Sequence, residues 1–145
     1  MLSLQRWCEQ PEVEHIAPQK KSEGWNKDLY EGDLIDLVGN LVLLPKSVNS
    51  SANNKSWEQK RLYYRILGAP ENVSQYLDSK EVTDLGIDTT ALTPSTLRIL
   101  SESKYHAYLE LIADVSTEWN PAIVKTRSER MAVLVWESLS SWVGL

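Results

Sequence analysis

Phenylalanine is absent from this chain, and cysteine occurs once, as Cys8. A lone thiol excludes an internal disulfide and any cysteine-rich zinc site. It fits a reducing compartment, and the protein is expected in the cytoplasm. No apolar run approaches the roughly 20 residues needed to span a bilayer, so no membrane partner is expected. Arg6, Glu9 and Glu12 interrupt the N-terminal segment, and no secretory signal is expected there. An excess of positive charge is also lacking. The net charge of −5 at pH 7 speaks against a uniformly basic, nucleic-acid-coating surface. What is present is a chain of 145 residues, 42% apolar, which suits one domain over 1–145 with an ordinary core. Six tryptophans stand in for phenylalanine as the large core fillers.

The charge is unevenly spread. Residues 1–67 carry nine Lys/Arg and nine Asp/Glu, whereas residues 68–145 carry six against eleven and hold the whole negative excess. Between 45 and 65 stand Lys46, Lys55, Lys60, Arg61 and Arg65 against Glu58 alone. This basic segment is either a solvated helix face or a surface for a polyanion.

Residues 2–8 suit a short helix or lead-in. Val13–Ile16 is a brief β-type run ended by Pro18. Residues 19–33 form a polar loop with one helical turn around Trp25–Tyr30, and Leu34–Val38 suits a short helix or strand. Gly39 breaks that segment, and Leu41–Leu44 is a second β-type run closed by Pro45. Residues 46–54, rich in Ser and Asn, are expected to be a loop that offers helix caps. A helix is expected from about Asn54 to Leu67, stopped by Gly68 and Pro70. Residues 71–92 carry little pattern: Val73–Leu77 suits a helical turn, and Val82–Leu92 a loop with a short turn. Thr93-Pro94 starts a helix whose apolar positions run to Ile112. Asn120-Pro121 starts another, with Val124, Arg127, Met131, Leu134, Val135, Leu139 and Trp142 marking its face. The fold class is therefore α+β and mostly helical, with a small β–loop–β–α unit over about 12–67 and a helical remainder over about 71–145.

The chemistry concentrates in the β-type runs. Glu14 and His15 stand side by side, Asn40 opens the second run, and Asn49 follows it. A neutral imidazole can take a proton from water near neutral pH. A carboxylate and an amide carbonyl are the oxygen donors that hard divalent ions take. Asn40 could bridge the two runs through side-chain hydrogen bonds. Lys60 or Arg61 could touch a phosphate backbone as a point charge or a fork. Successive side chains on a strand point to opposite faces, so Glu14 and His15 can serve one site only where the strand bends or ends.

Glu14-His15-Ile16-x-Pro18-Gln19, Gly39-Asn40-Leu41-x-Leu43-Leu44 and Asn49, with Asn54-x-x-Trp57-x-x-Lys60, resemble an HNH (His-Me finger) nuclease. The closer resemblance is to the C-terminal nuclease domain of GmrSD-type, modification-dependent restriction endonucleases. Trp119, Ile123 and Arg127 are similar to a Trp…Ile…Arg pattern in the helical tail of that family. The resemblance implies a ββα-metal unit packed against C-terminal helices. It implies His15 as general base, Asn40 as support for that base, and Glu14 and Asn49 as ligands of Mg²⁺ or Mn²⁺. Lys60, Arg61 and Lys46 are the expected DNA contacts. The implied activity is metal-dependent endonucleolytic cleavage of DNA in restriction of foreign or modified DNA. The implied partners are DNA and a nucleotide-hydrolysing domain or subunit. The competing reading is a non-catalytic helical interaction subunit, or a DNA-binding module, with a decayed site.

Overall fold

Pro11–His15 (β1) and Leu41–Pro45 (β2) pair antiparallel, with Glu12 opposite Leu44, Val13 opposite Leu43, Glu14 opposite Val42 and His15 opposite Leu41. The structure is a computed structural model in which residues 11–52, 55–69, 71, 73–102, 105–115 and 117–144 are described. The helix expected over 2–8 lies outside them. The period-two alternation of the strands gives the ladder two faces. Glu14, Val42 and Leu44 turn inward and are buried, whereas Val13 and Leu43 lie on the solvent side. Proline at both members of the outer pair, Pro11 and Pro45, keeps the ladder short, because neither can donate to it.

The connection between the strands holds three 3₁₀ turns, at Lys27–Tyr30, Leu34–Asp36 and Val38–Asn40. The Asn26 side chain caps the first by accepting from the Asp28 amide. After β2 the structure departs from expectation. Residues 46–52 are not a loop but a helix, Lys46–Ala52 (α1). Ser and Asn are weak helix formers because their side chains compete for backbone groups. Here Ser50 and Ser51 instead bond back to the carbonyls of Lys46 and Ser47, four residues earlier. Val48 and Ala52, one helical turn apart, are fully buried beneath them. Packing of that stripe outweighs the local propensity, and α1 lies against both strands.

Trp57–Gly68 (α2) begins with a capping box. The Ser56 hydroxyl accepts from the Gln59 amide, and the Gln59 side chain accepts from the Ser56 amide. The expected start at Asn54 lies outside the described residues. Val73–Leu77 (α3) and Lys80–Asp84 (α4) occupy the stretch that carried little pattern. Pro94–Glu102 (α5) and Tyr105–Ala113 (α6) cover the run expected after Thr93, and α6 packs along α2. Pro121–Val143 (α7) starts at the expected cap, with the Asn120 side chain accepting from the Ile123 amide and Pro121 at the first helical position.

The tryptophans Trp25, Trp57 and Trp119 form a tilted stack at the centre, with ring centroids 6.0 and 5.3 Å apart. Each indole N–H finds an acceptor: the Lys55 carbonyl, the Thr117 carbonyl and the Asn40 side chain. Only the first turns of α7 reach this core. The face expected to bury Leu134, Val135, Leu139 and Trp142 does not: all four are exposed, Trp142 to 83%.

Candidate active site at the end of the hairpin

Asn40 organises the end of β1. Its Oδ1 accepts from the Ala17 amide at 2.9 Å and from the Trp119 indole at 3.1 Å. Its Nδ2 donates to the carbonyls of Ala17 at 3.0 Å and Ile35 at 2.8 Å. Its backbone carbonyl accepts from the Ile16 amide at 2.8 Å. The side-chain amide has two donor hydrogens and two acceptor sites, so these four bonds saturate it. Asn40 is fully buried, which makes each bond costly to lose. It therefore holds the backbone on both sides of the loop, and its side-chain bonds all go to groups other than the His15 ring.

Helix α7 clamps the same segment from behind. Arg127 Nη1 donates to the carbonyls of Gly39 at 2.6 Å and Leu41 at 2.8 Å, and the Gly39 amide donates to the Ser128 hydroxyl at 2.9 Å. A Cβ on residue 39 would lie 2.0 Å from the Val124 carbonyl oxygen, so only glycine lets the helix come this close. Burial pushes the Arg127 guanidinium below its ordinary range, with the neighbouring Tyr64 opposing. Arg127, on the face that also carries Val124, thus acts as a clamp between α7 and the start of β2.

Glu14 points inward from β1 and meets Lys60 from α2. Lys60 Nζ lies 2.5 Å from Glu14 Oε1 and donates to the His15 carbonyl at 2.8 Å, with the Trp25 ring 5.8 Å away. Desolvation lowers the Lys60 pKa, and the Glu14 charge and hydrogen bond pull it back up. Burial also raises the Tyr64 hydroxyl well above its ordinary range, with Glu14 adding to the rise. Lys60 was expected to touch DNA. This is corrected: Lys60 is 0% exposed, because its ammonium is consumed in fixing Glu14 and the end of β1.

His15 lies on the other side of the strand, which ends at that residue. Its Nε2 is 3.2 Å from Asp36 Oδ1, and Gln19 Nε2 donates to the same oxygen at 3.4 Å. The imidazole is 24% exposed and the Asp36 side chain 64%. Asn49 sits on α1, where Nδ2 donates to Glu12 Oε2 at 3.0 Å. Asn49 Oδ1 is buried without a hydrogen-bond partner. Lys46 is exposed on the first turn of α1, 3.8 Å from Glu12. Arg61 turns its Nε to the Ala113 carbonyl at 3.1 Å.

The hairpin and α1 thus carry Glu14, His15, Asn40 and Asn49 on one small unit, but the side chains end on different partners. Glu14 meets Lys60, His15 meets Asp36, and Asn49 meets Glu12. Asp36, Glu12 and Ser128 escaped sequence reasoning. Glu12 carried a signal, since it lies two residues before Glu14 and so shares its strand face. Asp36 and Ser128 carried none, because only the tertiary structure brings them to His15 and Gly39.

Among the described residues, no group of three or more His, Cys, Asp or Glu side chains is placed to hold a metal ion. Amide oxygens are also donors that hard divalent ions take, and Asn49 Oδ1 is buried without a hydrogen-bond partner. The family described as GmrSD restriction endonucleases, C-terminal domain, matches residues 3–134. No curated protein matches the chain.

Proposed function

Because this chain belongs to the family of GmrSD restriction endonuclease C-terminal domains, we propose that it is a divalent-metal-dependent HNH-type nuclease that hydrolyses phosphodiester bonds in foreign or modified DNA. The observation that carries the reading is His15, a quarter-exposed imidazole at the end of a strand that also bears the inward carboxylate of Glu14 and packs against α1, the helix that carries the orphaned Asn49 amide oxygen.

His15 takes a proton from a water molecule, whose oxygen then attacks phosphorus as the bond to the 3′ oxygen breaks. Glu14 and Asn49 would hold Mg²⁺ or Mn²⁺. Such an ion, when bound, stabilises charge on the phosphoryl and leaving oxygens. Lys60 fixes the Glu14 carboxylate through Oε1. Asn40 keeps the His15 end of β1 at a set distance from the loop. Lys46, exposed beside the hairpin, and Arg61 contact the DNA backbone. A nucleotide-hydrolysing partner domain or subunit acts with this one.

Supercoiled plasmid tests the reading. With Mg²⁺ or Mn²⁺ the protein nicks it, and His15→Ala does not. Nicking that survives the substitution overturns His15 as the base.

The exposed apolar stretch of α7, from Val133 to Trp142, favours the second reading, an interaction subunit. That reading requires DNA cleavage to be absent with every metal supplied.

A further inference from the structure

We infer that Asp36 is the positioning residue that orients His15, so that Nε2 carries the ring proton and Nδ1 faces the attacking water; this rests on the nuclease reading above. A carboxylate at physiological pH only accepts hydrogen bonds. The 3.2 Å contact between Asp36 Oδ1 and His15 Nε2 therefore assigns the proton of the neutral ring to Nε2. The remaining lone pair is on Nδ1. When a water O–H bond breaks, its proton goes to Nδ1 and the electron pair stays on oxygen, which forms the new bond to phosphorus. The electron pair of the broken P–O bond leaves with the 3′ oxygen.

An exposed ion pair alone would carry no such role, since surface pairs of this kind contribute little. Here both backbones are fixed before the side chains meet. Asn40 Nδ2 holds Ile35, the residue before Asp36, and the same amide group holds Ala17, two residues after His15. The Asp36 amide closes the 3₁₀ turn on the Asp33 carbonyl at 3.2 Å. The His15 carbonyl is tied to Lys60. One buried side chain thus sets the spacing between the His15 strand end and the Asp36 turn. Asn40 supports the base through this spacing, and Asp36 supplies the contact to the ring.

Long-range ¹H–¹⁵N spectra of the full chain at pH 8 read the ring directly, with His106→Gln leaving His15 as the single histidine. The wild-type ring shows its proton on Nε2, with a cross-peak that persists against exchange. Asp36→Ala loses that cross-peak, and Asp36→Asn keeps it, because an amide oxygen still accepts. In plasmid nicking, Asp36→Ala lowers kcat by about 10–100-fold with KM within about twofold, the scale for losing a side chain that orients a reacting group. Asp36→Asn falls between Asp36→Ala and wild type. A ring proton on Nδ1, an unchanged cross-peak in Asp36→Ala, or wild-type cutting by Asp36→Ala overturns the inference. Wild-type cutting by His15→Ala instead overturns His15 as the base, absence of cutting by the wild type with every metal supplied overturns the nuclease reading, and in both cases the spectra still decide whether Asp36 holds the ring.

Discussion

Gly39→Ala is the sharpest test of how α7 holds the site. The added methyl would sit 2.0 Å from the Val124 carbonyl oxygen, 2.4 Å from the Ser128 hydroxyl and 2.8 Å from the Ser128 amide nitrogen. Two of these atoms are helix backbone and cannot rotate away. The helix must therefore lift off the Val38–Asn40 turn. Overpacking of this kind costs about 1–3 kcal/mol. Lifting also stretches the Arg127 bonds to Gly39 and Leu41, and a hydrogen bond to a charged group is worth about 1.5–3 kcal/mol. The expected loss is about 3–5 kcal/mol, a large share of the roughly 5–15 kcal/mol that holds an ordinary domain together. Gly32→Ala is the control. Residue 32 has open space around it and a φ of +66°, so its cost is conformational, about 1–2 kcal/mol. Urea unfolding followed by tryptophan fluorescence reads both variants, with unchanged slopes and lowered midpoints. If Gly39→Ala is no more costly than Gly32→Ala, the clamp described here is wrong.

Other perturbations separate the remaining contacts. Lys60→Met strands Glu14 in the interior and should cost about 3–5 kcal/mol in the same unfolding assay, whereas Lys60→Met with Glu14→Gln recovers more than half of the loss. Burial pushes the Tyr63 hydroxyl up to about 12. The native state therefore keeps this proton to higher pH than the unfolded chain does, so stability falls as pH rises from about 10 to 12. Tyr63→Phe should remove a part of that fall on the order of 2–3 kcal/mol; an identical pH profile in the variant would refute the assignment. Asn49→Ala should weaken Mn²⁺ binding by about 10-fold or more, read by the free Mn²⁺ signal in electron paramagnetic resonance, and equal binding would remove Asn49 from the donor set.

The sequence by itself determined the element types wherever local chemistry was decisive. The two β-type runs, the Thr93-Pro94 and Asn120-Pro121 helix starts and the break at Gly68 can all be read from residues within a few positions of one another, because capping, proline geometry and alternation are local effects. The motif around Glu14, His15, Asn40 and Asn49 also led to the right family. Tertiary structure decided the rest. Lys60 is indistinguishable in sequence from a solvated lysine until Glu14 arrives from a strand 46 residues away. Residues 46–52 become helical because Val48 and Ala52 find a hairpin to cover, against the preference of their serines. Arg127 and Gly39 acquire their meaning from each other, 88 residues apart. Each of these depends on which distant surface excludes water from a charge or an apolar stripe, and the order of residues along a chain does not encode that proximity locally.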